Sequence, residues 1–138
     1  MAAPITSSND KQRAKILIVD DDHDVAITLK TILEEEGESS KEFEVHVFND
    51  PELALSNFKA GWYDLLLVDI LMPKMNGFEL SQKLKNIDDK VKVCFITAYE
   101  IYYRALRDLF PTIQVDCFIA KPIGKKELVS RIKSELKS

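Results

Sequence analysis

The sequence predicts an α/β protein built on an open, doubly wound sheet of five parallel strands. Three observations carry that expectation: five short apolar runs, a helix-period segment after each, and a short polar or proline-containing joint at each junction. A β-α order repeated five times calls for right-handed crossovers, which place helices on both faces of a parallel sheet.

The first run, Ile16-Leu17-Ile18-Val19, and the third, Leu65-Leu66-Leu67-Val68, are apolar at every position. A strand covered on both faces needs that composition, because successive side chains point to opposite sides. The second, Phe43-Glu44-Val45-His46-Val47-Phe48, alternates and suits a strand nearer the sheet edge. The fourth runs from Val91 to Ile96 and the fifth from Val115 to Ile119. Between them, apolar residues recur at helical spacing. Val25, Leu29, Ile32 and Leu33 share one face, then Ala54, Leu55 and Phe58, then Leu80, Leu84 and Ile87. Tyr102, Leu106 and Leu109 form the fourth face, and Leu128, Ile132 and Leu136 the fifth. Residues 1–12 are polar and aperiodic and read as a flexible tail, leaving 13–138 as one domain with one core.

Composition excludes several function classes. The chain is 46% hydrophobic and 30% charged, with a formal net charge of -4 and no Lys/Arg block longer than two residues. That argues against a broad nucleic-acid surface. No apolar run approaches the roughly 20 residues of a membrane span. The first ten residues lack a basic region followed by an apolar stretch. The expectation is a cytoplasmic protein with no membrane contact and no direct nucleic-acid binding. Cys94 and Cys117 lie in apolar runs and read as two reduced, buried, small hydrophobes. Neither combines with His23 or His46 in a metal-ligand spacing.

In an open α/β sheet, functional groups collect beyond the carboxyl ends of the strands. Asp20-Asp21-Asp22 follow the first strand, Asp69 the third, Thr97 and Ala98 the fourth, and Lys121 the fifth. The carboxylates of Asp20, Asp21 and Asp69, a hydroxyl and an ammonium thus converge on one edge, from the ends of four strands. Clustered carboxylates repel and hold their protons unless a cation is present. Their hard oxygens suit Mg²⁺. One Mg²⁺ and one lysine balance three carboxylate charges. In such a site the cations screen the oxygens of an incoming phosphoryl group while a carboxylate attacks in line.

The sequence resembles the receiver domain of response regulators over about residues 13–138. The matching stretches are Ile16-Leu17-Ile18-Val19-Asp20-Asp21, Leu67-Val68-Asp69-Ile70-Leu71-Met72-Pro73-Lys74-Met75-Asn76-Gly77, Phe95-Ile96-Thr97-Ala98 and Phe118-Ile119-Ala120-Lys121-Pro122. The resemblance implies a flavodoxin-like strand order 2-1-3-4-5. It implies that Asp69 takes a phosphoryl group from a phosphohistidine on a sensor histidine kinase or histidine phosphotransfer protein. Asp20 and Asp21 would be the acidic pair at Mg²⁺, with Asp21 the more direct ligand and Asp69 and the backbone carbonyl of Leu71 completing the set. Lys121 would pair with the Asp69 carboxylate and then with phosphoryl oxygens. Thr97 would bond a phosphoryl oxygen, with small Ala98 leaving room. Phe118 would be the switch aromatic that turns inward as Thr97 moves, and Lys121-Pro122 a cis peptide. Such a domain is a phosphoacceptor rather than an enzyme, catalysing only its own phosphorylation and dephosphorylation. The chain stops directly after the fifth helical segment, so the expected form is a stand-alone regulator whose output passes to an unknown downstream protein.

Some residues carry plainer expectations. Asp22 and His23 are expected to cap or flank the first helix, and Gly77 to make a tight turn into the third. Glu34 to Glu38 reads as a solvated helix end, in a loop to Glu42 that looks long. Leu109 to Asp116 departs from the family's small turn. Leu71 and Tyr99 flank the water path to the phosphoryl group. Neither can orient a hydrolytic water, so slow self-dephosphorylation is expected.

Rival readings differ in chemistry. A haloacid-dehalogenase-type Mg²⁺-dependent phosphatase uses the same residue types, but places Thr or Val where this chain has Asp24. A flavodoxin-like nucleotide binder wants a glycine-rich loop, and Gly37, Gly61, Gly77 and Gly124 form none. A receiver-like scaffold that never accepts phosphate is the third.

Overall fold

The computed structural model describes residues 13–35, 42–98, 100–112, 115 and 117–138, with the backbone alone at 100–103 and 106. Strand β1 spans Ala14–Val19, β2 Phe43–Phe48, β3 Leu65–Asp69, β4 Lys92–Thr97 and β5 Phe118–Ala120. Helix α1 spans His23–Glu35, α2 Pro51–Asn57, α3 Gly77–Ile87, α4 Glu100–Leu109 and α5 Lys125–Lys137. All strand pairs are parallel, in the order β2-β1-β3-β4-β5. The expected class and order are both found. The expected tail and most of the loop between α1 and β2 lie outside the described residues.

The all-apolar runs occupy the middle of the sheet. Ile16 to Val19 and Leu65 to Val68 are fully buried, because helices cover both sides. One side packs Ile16, Ile18, Leu65, Leu67, Cys94, Ile96 and Ile119 against Leu29, Leu33, Leu128 and Ile132 of α1 and α5. The other packs Leu17, Val19, Leu66, Val68 and Phe95 against Ala54, Phe78, Leu80 and Leu84 of α2 and α3. The alternating run is indeed an edge strand, β2.

Both sheet edges are covered by side chains from helices. Ala14 and Asp20 donate to the Glu42 and Phe48 carbonyls, so even-numbered residues of β2 face β1. Val45 therefore turns its backbone outward. Glu34 accepts from its N–H at 3.2 Å, and Lys30 donates to its carbonyl at 3.0 Å. At the other edge, Arg131 of α5 donates to the outward carbonyl of Phe118 at 2.7 Å. Backbone groups held in this way are not open to a foreign strand.

Several expectations fail. The fifth strand is Phe118–Ala120 rather than 115–119, because only Phe118, Ile119 and Ala120 find partners on β4, opposite Phe95, Ile96 and Thr97. Leu109 is 72% exposed and Ile87 44% exposed. Each is the last residue of its helix. Tyr102 and Leu106 of the same expected face have side chains outside the described residues. The cysteines are not two separate thiols: Cys94 and Cys117 are joined as a disulfide, with Cα atoms 4.5 Å apart. Residue 94 stands beside residue 117 because Phe95 pairs with Phe118, and that register is invisible in a spacing of 23 residues.

Candidate phosphoryl-acceptor site

Each acidic residue reaches the carboxyl edge by a different local device. β1 runs out of apolar sequence at Val19, and Asp20 follows it, still under the helices and fully buried. Its Oδ1 accepts from the backbone N–H of Asp22 at 3.0 Å. Asp22 in turn accepts from the N–H of Val25 at 3.2 Å, capping α1 as expected. Asp21 is left exposed between them. β3 ends on Asp69, which is 6% exposed.

The loop after Asp69 is tightly specified. Lys74 has a left-handed backbone with φ of 72°, and its ammonium lies 3.1 Å from the Asp50 carboxylate that caps α2. Asn76 and Glu79 form a reciprocal capping box at the start of α3. Gly77 donates to the Ile70 carbonyl at 2.8 Å. A Cβ on Gly77 would lie 2.4 Å from the Asp69 carbonyl oxygen and 2.9 Å from Ile70 Cα. The expected reason for this glycine, a tight turn, is thus replaced by a close approach: α3 begins against the peptide that carries Asp69. Nothing in the sequence distinguishes the two reasons.

The cluster is compact. One carboxylate oxygen from each of Asp20, Asp21 and Asp69 falls within 4.8 Å of the others. Lys121 follows β5, and its backbone N–H donates to the Thr97 carbonyl at 2.8 Å, which sets lysine and threonine side by side. The Lys121-Pro122 peptide is cis. Lys121 Nζ lies 2.7 Å from Asp20 Oδ2 and 3.8 Å from Asp69 Oδ2. The lysine thus pairs with Asp69 as expected, and lies closer still to Asp20. The more deeply buried carboxylate has the greater need of a counter-charge. Thr97 is 1% exposed. Phe118 is half-buried against the α2–α3 side of the core, which also holds Phe78 and Phe95. Leu71 is half-buried two residues past Asp69, and Tyr99 lies outside the described residues.

Burial, then the charge of Asp20, push the Asp69 carboxyl up to about 8, with Lys121 pulling the other way. A carboxyl in that state needs a cation before it can serve as an anionic nucleophile. Three convergent carboxylates form a hard oxygen set that fits Mg²⁺.

Comparisons with known proteins agree with this geometry. The family model for the response regulator receiver domain matches residues 16–133. The chain belongs to that family. A CheY-like receiver domain protein from Methanospirillum hungatei has a TM-score of 0.72 at 30% identity, covering 90% of this chain and 94% of its own. The response regulator TrrA from Thermotoga maritima, solved with Mg²⁺-BeF, has a TM-score of 0.71 at 30% identity, covering 88% and 97%. Among curated proteins, the transcriptional regulatory protein CpxR of Klebsiella pneumoniae is 35% identical over 89% of this chain and 49% of its own. The receiver chain spans about half the length of the curated relatives it matches. Among the described residues, no helix is long and apolar enough to cross a membrane.

Proposed function

We propose that this receiver domain accepts a phosphoryl group on Asp69 and thereby changes which protein it binds. The observation that carries the reading is the meeting of three carboxylates within 4.8 Å, with Lys121 bridging Asp20 and Asp69. Asp69 is the acceptor because it retains some exposure, whereas Asp20 is sealed and already holds Lys121 and the Asp22 N–H. The donor is a phosphohistidine on a sensor histidine kinase or histidine phosphotransfer protein. An Asp69 oxygen attacks phosphorus in line, the P–N bond breaks, and its electrons and a proton go to the departing imidazole. Asp20, Asp21, Asp69 and the Leu71 carbonyl hold Mg²⁺, which supplies positive charge toward the phosphoryl oxygens when bound. Lys121 turns from Asp20 toward the new phosphoryl oxygens, and Thr97 bonds one of them. Phe118 then follows Thr97 inward.

The setting is a cytoplasmic phosphorelay, in which the domain docks on another protein. A net charge of -4 without a basic run supports protein rather than nucleic acid as the direct contact of these residues. Treatment with acetyl phosphate and Mg²⁺, followed by mass spectrometry of the acyl phosphate, tests the acceptor. Label on Asp69, lost in Asp69→Ala, is the expected result. Label on Asp20 would instead establish the phosphatase reading, and no label at all the scaffold. The bulky Leu71 and Tyr99 give a slowly hydrolysed acyl phosphate. Faster loss in wild type than in the Leu71→Asn, Tyr99→Glu double variant would end that part of the reading.

A further inference from the structure

Cys94 and Cys117 take no part in phosphoryl transfer, yet they sit in the two strands that carry Thr97, Phe118 and Lys121. Cys94 is fully buried and Cys117 is 3% exposed. Their Cα atoms are 4.5 Å apart, within disulfide range. Both belong to the core side under α1 and α5. Phe118 packs on the opposite side of the sheet, with α2 and α3. A bond between the sulfurs therefore ties β4 to β5 from behind, without entering the space in front. The tie falls where the sheet is weakest. β5 has three residues and one neighbouring strand, so local opening there costs little compared with the central strands. An Arg131 guanidinium nitrogen lies 3.9 Å from Cys117 Sγ, so that sulfur has a cation at its side.

We propose that Cys94 and Cys117 form a reversible thiol–disulfide switch, in which oxidation clamps β5 to β4 and damps the phosphorylation-driven movement of Thr97 and Phe118. The oxidant is a hydroperoxide. The Cys117 thiolate attacks the peroxide oxygen, the O–O bond breaks, and sulfenic acid forms with release of water or an alcohol. Cys94 sulfur then attacks Cys117 sulfur, the S–O bond breaks, and water leaves with the thiol proton. A dithiol reductant reverses the bond by exchange. In the reduced protein three register pairs hold β5, namely Phe95 with Phe118, Ile96 with Ile119 and Thr97 with Ala120. In the oxidised protein a covalent link directly precedes Phe118. Any rearrangement that changes the spacing of the two strands becomes less populated, whatever the occupancy of Asp69.

This inference rests on the phosphoryl-acceptor reading, and the experiment separates the two. Reduced chain is treated with hydrogen peroxide, then with an alkylating reagent, and weighed intact before and after dithiothreitol. Acyl-phosphate formation on Asp69 from acetyl phosphate and Mg²⁺ is timed in both redox forms. The expected result is loss of two hydrogens, protection of both cysteines, and labelling slowed by about fivefold or more, all restored by the dithiol. Cys94→Ala and Cys117→Ala should label at the reduced rate with or without peroxide. Two alkylated cysteines after peroxide would overturn the switch, as would equal labelling rates in the two forms. Peroxide slowing that persists in either alanine variant would also overturn it, by assigning the effect to Met72 or Met75 beside the site. No label in the reduced protein would overturn the acceptor reading itself, and the switch with it.

Discussion

The turn from β3 into α3 and the passage from α4 into β5 are built to different standards. The first carries Asp69 and is fixed at every step, by a left-handed Lys74, a reciprocal cap at Asn76 and a glycine touching the acceptor's own peptide. The second ends a helix on a Leu109 that is 72% exposed and enters a strand of three residues. Chemistry that must hold a carboxylate to a fraction of an ångström needs the first kind of backbone. A surface that changes when phosphate arrives needs the second, since motion is drawn from the less stable parts of a fold. Under the proposed function, the contrast separates the part that would react from the part that would report.

The largest expected effect breaks the rigid side. Gly77→Ala pushes a methyl into the Asp69 carbonyl, so denaturant unfolding should show a loss of roughly 2–3 kcal/mol and acyl-phosphate formation should nearly vanish. A fully active Gly77→Ala protein would mean the β3–α3 joint is softer than its contacts imply.

Next comes the charge state of the acceptor. In metal-free protein the Asp69 carboxyl is raised from 3.8 to about 8. The folded state therefore keeps a proton that the unfolded chain releases, so stability falls as pH rises from about 4 to about 8 and then levels. Asp69→Asn should flatten that slope and add about 1–2 kcal/mol at pH 8. Mg²⁺ should stabilise wild type there far more than the variant. Identical pH profiles for the two proteins would remove Asp69 as the source of the slope.

A smaller effect sharpens the same boundary. Asn76→Ala removes the cap of α3 and should cost about 1 kcal/mol in thermal unfolding while leaving Asp69 able to label. On the reporting side, Leu109→Ala should change stability by no more than about 0.5 kcal/mol, because its side chain is mostly in water. Any effect of that variant should appear in partner capture instead. A larger stability loss than at Asn76 would reverse the comparison.

The sequence was informative where burial is two-sided. Ile16 to Val19 and Leu65 to Val68 announce central strands because both faces demand apolar residues, and the first acids after them mark the sheet's carboxyl edge. The plan of strands, helices and convergent carboxylates follows from that alone. Register was not legible, so the disulfide and the true start of β5 were missed. Asp69 was foreseen as a partner of Lys121 but the closer Asp20 was not, since spacing says nothing about which of two adjacent carboxylates is more deeply enclosed. Gly77 could be flagged as special but not explained, because a close approach and a turn both select glycine. Leu109 fitted a helical stripe, yet as the last residue of α4 it stands mostly in water.

The covered edges of the sheet have a consequence of their own. Lys30 and Glu34 occupy the backbone of Val45, and Arg131 holds the carbonyl of Phe118. A foreign strand docking at Val45 or at Phe118 would first have to displace these side chains.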